Sequence, residues 1–176
     1  MFMLDIALQT IFPVDFQYQR LFVVFNMGII ALMLDLRKKD FLVVFSIAFV
    51  VGLGLDITRY GYFFLSALSL SLTMILIRVW SNQLNESVIE LVILAVMSVF
   101  IKELVQYLLL LLSGLTSLYP SNWFIYRGFL TLLIHIPLSL VVIYFYRLKN
   151  QFLQRGQVAR TKMESTLYRE LRKTQR

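Results

Sequence analysis

The residues best equipped for chemistry in this chain are Lys102, Glu103 and His135, because each interrupts an otherwise apolar stretch. An ionisable group in such a setting is costly unless it is paired or hydrated, so it marks a site worth explaining. Lys102 and Glu103 fall near the middle of one apolar run and His135 at the midpoint of the next. Adjacent residues on a helix point about 100° apart. Lys102 and Glu103 are therefore expected to find separate partners, and Glu103 is expected to form a buried hydrogen-bonded pair with His135. Such a pair can knit two helices together or pass a proton. A relay needs a chain of titratable groups, and this cluster stands alone, so the knitting role is preferred.

Other ionisable residues sit nearer segment ends. Asp56 and Arg59 are three apart, close enough to pair on a helix, either as an interfacial ion pair ending a helix or as a docking point. Arg127 opens the last apolar run, and Pro137 within that run removes a backbone donor and is expected to kink it. With no cysteine and a single histidine, neither a disulfide framework nor a common metal site is expected. No P-loop, nucleophile elbow, HExxH or dinucleotide fingerprint is present. The expectation is a protein that is not an enzyme, with no catalytic residues, cofactor or metal.

These residues need elements to position them. Of 176 residues, 59% are hydrophobic and 15% aromatic, and the mean hydropathy is +0.76. A soluble domain of this size needs more polar surface. Six apolar segments can be read, near residues 1–12, 18–36, 40–57, 60–80, 86–113 and 124–146, separated by short polar breaks. None alternates with period two, which argues against a membrane barrel. The reading is an all-α polytopic membrane bundle of five to six transmembrane helices over residues 1–148, followed by a basic tail over 149–176. Short connections set neighbouring helices antiparallel. The first segment is too short: twelve residues rise only about 18 Å against a core of about 30 Å. It lacks a basic n-region and a cleavage site, so no cleavable signal peptide is expected.

Basic residues orient the bundle. Arg37, Lys38, Lys39, Arg78 and the basic residues from Arg147 onward share one side if the segments alternate, whereas only Arg20, Arg59 and Arg127 fall on the other. Both termini are thus expected in the cytoplasm. Trp80 and Trp123 fall at segment ends, where indoles favour the interface. Ala48 and Gly52, and Ala67 and Ser71, are spaced four apart and make small-residue faces, suited to close packing within the bundle or to contact between copies. Met163, Leu167 and Leu171 recur every fourth residue, so residues 160–176 can form a basic amphipathic helix for anionic lipid or a cytoplasmic partner. No nucleic-acid module is present.

The order of several features resembles a known family. Phe49-Val50-Val51-Gly52-Leu53-Gly54-Leu55-Asp56 places a glycine four residues before an aspartate, and Tyr60-Gly61-Tyr62 puts a glycine at the opening of the next helix. Glu103 lies in the penultimate helix, and Arg127, Thr131 and His135 lie in the last. Together these resemble MreD, the rod shape-determining membrane proteins of bacteria, most closely the Gram-positive form, over about residues 2–148. The chain departs from the family in having Leu130 where a proline is often found, His135 where an asparagine is usual, and a longer basic tail. The family has a complete first helix, of which residues 1–12 look like the second half, so a start upstream of Met1 is expected. The resemblance implies a non-enzymatic scaffold subunit of the cell-elongation machinery in the bacterial plasma membrane. It would bind MreC and work beside peptidoglycan synthases of the RodA and penicillin-binding protein type. The alternative is the substrate-binding subunit of an energy-coupling-factor vitamin transporter, although only Ala7 stands where its docking alanines would be. A proton-coupled carrier would rest on Glu103 and His135 alone.

Overall fold

Apolar runs without period-two alternation satisfy their backbone groups most simply as helices, and in the computed structural model they do so. The structure describes residues 1, 3–5, 7, 25–37, 39–58, 64–81, 83–84 and 87–174, and leaves the side chains of Thr58 and of 157–174 outside that description. The helices are α1 (Met27–Leu36), α2 (Phe41–Thr58), α3 (Leu65–Ser81), α4 (Val88–Leu112), the short α5 (Pro120–Trp123) and α6 (Phe129–Thr174). A π-helical turn, Phe124–Gly128, joins the last two. No strand occurs among the described residues.

Local chemistry explains the helix ends. Ser87 is the N-cap of α4; its hydroxyl accepts the Glu90 N–H at 3.3 Å, and the serine–glutamate spacing is that of a capping box. At the other end Gly114 adopts φ +68°. Leu115 N–H reaches the Leu110 carbonyl at 3.0 Å and Gly114 N–H reaches that of Leu111 at 3.1 Å, closing a Schellman motif. Pro120 starts α5, where its missing N–H costs nothing.

Two helices begin beneath a carboxylate borrowed from elsewhere in the chain. Asp5 accepts the N–H groups of Met27 (3.0 Å) and Gly28 (2.6 Å) at the start of α1. Asp56, in the last turn of α2, accepts those of Ser66 (2.8 Å) and Ala67 (3.1 Å) at the start of α3. Each carboxylate satisfies two orphan donors and meets the positive end of a helix dipole. Asp56 is thus a cap for its neighbour; the expected pairing with Arg59 falls outside the described residues. Arg59 itself, with Tyr60-Gly61-Tyr62, Arg20 and Lys38, lies outside the described residues.

The small-residue faces meet each other. A Cβ added to Gly52 would fall 2.4 Å from the Ala67 Cα and 2.9 Å from the Ser66 carbonyl oxygen. The absence of a side chain at Gly52 is what lets α2 and α3 touch backbone to backbone, and Ala48, Ala67 and Ser71 are buried. This face is spent within the chain.

By contact clustering the chain divides into Met1–Ile143 and Tyr144–Arg176, a boundary at Tyr144 compared with the expected 148/149. In the second unit the backbone stays helical to Thr174. The expected end of the last segment near 146 is therefore not a helix end, and the helix also continues through Pro137. The reading of 18–36 as one helix needs correction as well: Phe25 and Asn26 are not helical, and α1 starts only at Met27. Trp123, expected at an interface, is buried against Tyr107 with ring centroids 4.9 Å apart, whereas Trp80 is exposed.

Large apolar side chains lie on the exterior as well as in the core. Leu42, Val50, Ile125 and Phe152 are each more than half exposed, while Lys102, Glu103, Arg127, His135, Asp5 and Asn26 are buried. The stretch Pro120–Gly156 is long and apolar enough, by length and composition, to cross a membrane. Met27–Leu36, Phe41–Ile57 and Leu65–Ser81 are shorter apolar helices.

The Gly52 contact generates a paired prediction. Gly52→Ala destabilises the protein by about 1–3 kcal/mol, because α2 and α3 must separate. Gly54→Ala, whose Cβ meets nothing within 4 Å, is neutral or stabilising by up to about 1 kcal/mol. Thermal unfolding of the two variants in mild detergent checks this, and equal midpoints would exclude the close approach.

Candidate functional site

Helical periodicity aims the polar groups of α4 inward. Its buried positions, among them Ser98, Val99, Lys102, Glu103, Gln106 and Tyr107, recur every three or four residues and form one stripe. On the facing element, Arg127, Thr131 and His135 are spaced four apart, and all are buried. The π-helical turn lies immediately before them, with Phe129 N–H bonding the Phe124 carbonyl. A π-turn inserts one extra residue into the helical cycle and so rotates the face that a side chain presents. Here it ends with Arg127 buried at the α4 stripe.

Glu103 is the centre of the cluster. Its Oε1 accepts from Lys102 Nζ at 2.7 Å and from Asn26 Nδ2 at 3.2 Å. Its Oε2 lies 2.6 Å from both Nε and Nη2 of Arg127. Both carboxylate oxygens are engaged. Lys102 and Arg127 are each buried to within a few per cent, so the two cations reach their counter-ion where water cannot screen them. The expectation that adjacent Lys102 and Glu103 would not pair is overturned. Their Cβ directions do diverge, but four methylenes let the lysine ammonium curl back to the neighbouring carboxylate.

The expected direct Glu103–His135 bond is also replaced, because Asn26 stands between them. The Asn26 backbone N–H donates to His135 Nε2 at 3.1 Å while its side chain donates to Glu103. His135 Nδ1 lies 2.6 Å from the Thr131 carbonyl oxygen. An N–H aimed at Nε2 requires that nitrogen to be an acceptor, so the proton is assigned to Nδ1, which donates to Thr131 in the neutral tautomer. The non-helical backbone at Phe25 and Asn26 frees this N–H for the histidine. Irregular backbone within an apolar segment is tolerable when protein groups satisfy it, as His135 and Asp5 do here.

Of the residues singled out from sequence, the structure brings Lys102, Glu103, Arg127 and His135 into one cluster and places Asp56 apart, at the α2–α3 junction. Asn26, Asp5 and Gln106 were missed. Asn26 and Asp5 are polar residues flanked by apolar ones, a signal that was present, but each belongs to a segment whose helical course the sequence did not interrupt. Among the described residues no group of histidine, cysteine and carboxylate side chains is arranged to hold a metal ion. What the geometry can do is hold three segments together: Asn26 before α1, Lys102 and Glu103 on α4, and the Arg127–His135 stretch.

The cluster predicts a large and localised energetic effect. Glu103→Gln leaves Lys102 and Arg127 buried with their shared counter-ion gone, and destabilises the protein by about 3–5 kcal/mol. Glu90→Gln, in the first turn of the same helix, costs under about 1 kcal/mol. Unfolding of the detergent-solubilised variants measures both, and a small effect at Glu103 would show that the cluster is not a structural centre. Comparison of the chain with profiles of known protein families, with curated proteins and with solved structures finds no match.

Proposed function

We propose that this chain is a polytopic protein of the bacterial plasma membrane that serves as a non-catalytic scaffold of the cell-elongation machinery, of the MreD type. The observation that carries the reading is the saturated Glu103 carboxylate: Lys102, Asn26 and Arg127 occupy both of its oxygens. A carboxylate so engaged, beside a histidine whose two ring nitrogens are also occupied, locks helices together. It has no vacant acceptor at which to take up and release a proton, which weighs against the proton-coupled carrier.

Two further observations favour a rigid membrane scaffold. Many large apolar side chains face outward while Lys102, Glu103, Arg127 and His135 are buried, an arrangement that a lipid solvent tolerates better than water does. The residues on which the family resemblance rests also have structural work to do. Gly52 and Asp56 join α2 to α3, Glu103 and Arg127 join α4 to the π-helical turn, and His135, bonded to the Thr131 carbonyl within α6, ties that helix to Asn26. In this reading the partners are MreC and peptidoglycan synthases of the RodA and penicillin-binding protein type. The vitamin-transporter alternative requires a pre-formed ligand pocket, whereas Glu103 and His135 are engaged by groups of the chain itself.

Two experiments test the proposal. Because the chain has no cysteine, single cysteines report topology directly. Ser117→Cys, in the exposed α4–α5 loop, is expected to react with a membrane-impermeant maleimide on intact cells, and Gln83→Cys, in the α3–α4 turn, only after permeabilisation. Labelling of both from one side would remove the multi-pass arrangement. For function, the tagged protein is purified from its own cells in mild detergent and the retained proteins are identified by mass spectrometry. MreC and peptidoglycan synthases are expected. Paired ABC-type ATPases with a transmembrane coupling subunit would instead establish the transporter alternative.

A further inference from the structure

More than half of the basic residues of the chain, nine of 17, lie in the C-terminal unit Tyr144–Arg176, beside only two acidic ones. The backbone of that unit is helical to Thr174. Its first turns leave Tyr144, Phe145, Phe152 and Leu153 more than half exposed, with Arg147, Lys149 and Arg155 exposed among them. Lys149 Nζ stands 5.5 Å from the centre of the Tyr146 ring, a cation–π contact that keeps the ammonium beside apolar surface. Beyond Gly156 the helical backbone fixes the register. Met163, Leu167 and Leu171, four apart, share one stripe, and Arg155, Lys162 and Arg169, seven apart, share another.

An apolar and a basic stripe on one helix match a surface that is anionic outside and apolar beneath. Nucleic acid answers the charge alone, through its phosphates, and leaves the apolar stripe in water. The bilayer is also the surface within constant reach. The stretch long and apolar enough to cross a membrane runs Pro120–Gly156, and the basic helix continues it directly, so the tether holds lipid head groups at high effective concentration. Glycine is a poor helix former, and a Cβ at Gly156 would meet nothing within 4 Å, so the axis turns there at least cost. We infer that the helix after Gly156, about 27 Å long over residues 157–174, lies along the surface of an anionic phospholipid leaflet. The Met163, Leu167 and Leu171 stripe meets the acyl chains, and the basic residues meet the phosphates. This rests on the membrane placement proposed above and is independent of the partners proposed there.

The test places single cysteines in the full-length protein, which has none of its own. Met163→Cys, in the apolar stripe, and Ser165→Cys, about 200° round the helix from it, are each labelled with an environment-sensitive fluorophore. The protein is then put into nanodiscs of phosphatidylcholine, with or without phosphatidylglycerol. With phosphatidylglycerol, the probe at Met163→Cys is expected to emit at shorter wavelength and to be shielded from acrylamide, more than the probe at Ser165→Cys. In phosphatidylcholine alone, or in about 1 M salt, where the Debye length falls to about 3 Å, both are expected to report water. Lys162→Gln with Arg169→Gln is expected to lower the ratio of surface-bound to free helix about 25-fold, fivefold for each charge at ~1 kcal/mol. Lys162→Arg with Arg169→Lys is expected to retain it. A probe at Met163→Cys that reports water in both lipids would overturn the inference and turn attention to an acidic cytoplasmic protein. Equal shielding in both lipids would overturn it too, because the basic stripe would then have no part in binding. A chain that does not enter the disc removes the membrane placement and this inference with it, whereas an inserted chain with a water-exposed helix removes this inference alone.

Discussion

A carboxylate buried among apolar helices must be neutralised, and the way Glu103 is neutralised organises much of the structure. Two cations and an amide converge on its two oxygens from three parts of the chain. In a low-dielectric interior each contact is strong, and losing any one leaves a charge or dipole without compensation. The bundle is therefore held by a few polar contacts with strict geometry as well as by apolar packing. The π-helical turn at Phe124–Gly128 and the non-helical residues Phe25 and Asn26 both lie next to groups that reach this carboxylate or its histidine neighbour. Regular helix was given up at those positions, and polar contacts to the cluster were gained.

The carboxylate caps repeat the same principle at smaller scale. Asp5 and Asp56 each sit on the first N–H groups of a helix that follows later in the chain. Such a cap ties the helix start to a distant segment, which a cap from the adjacent residue cannot do. Gly52 completes the second of these junctions by letting the Ala67 backbone approach to van der Waals contact. A scaffold presenting a fixed surface to other membrane proteins needs this kind of internal rigidity, and the occupied hydrogen-bond sites of Glu103 and His135 suit that role better than proton traffic.

The outer surface has a different character. Apolar side chains cover the described exterior of the helices, and the described basic groups gather where α1 and α3 end and in the C-terminal unit. Arg78 couples the two features, since its guanidinium carbon sits 5.9 Å from the centre of the Phe41 ring.

The sequence by itself determined the number and placement of most apolar helices, because hydropathy and short polar breaks depend only on local composition. Helix ends at Leu36, Ser81 and Leu112 fall within about a residue of the segment ends read at 36, 80 and 113. It also determined that Lys102, Glu103, Arg127 and His135 needed partners, because a charge within an apolar run is conspicuous without any structure. Which partners they took was decided only by the tertiary structure. Asn26 lies 77 residues from Glu103 and 109 from His135, and no local rule brings an asparagine in one segment between a glutamate and a histidine in two others. Nor does apolar composition reveal that the chain is non-helical at Phe25 and Asn26 or widens into a π-turn before Phe129. Those departures from regular helix cost free energy locally and are stable because distant groups accept and donate the hydrogen bonds they release.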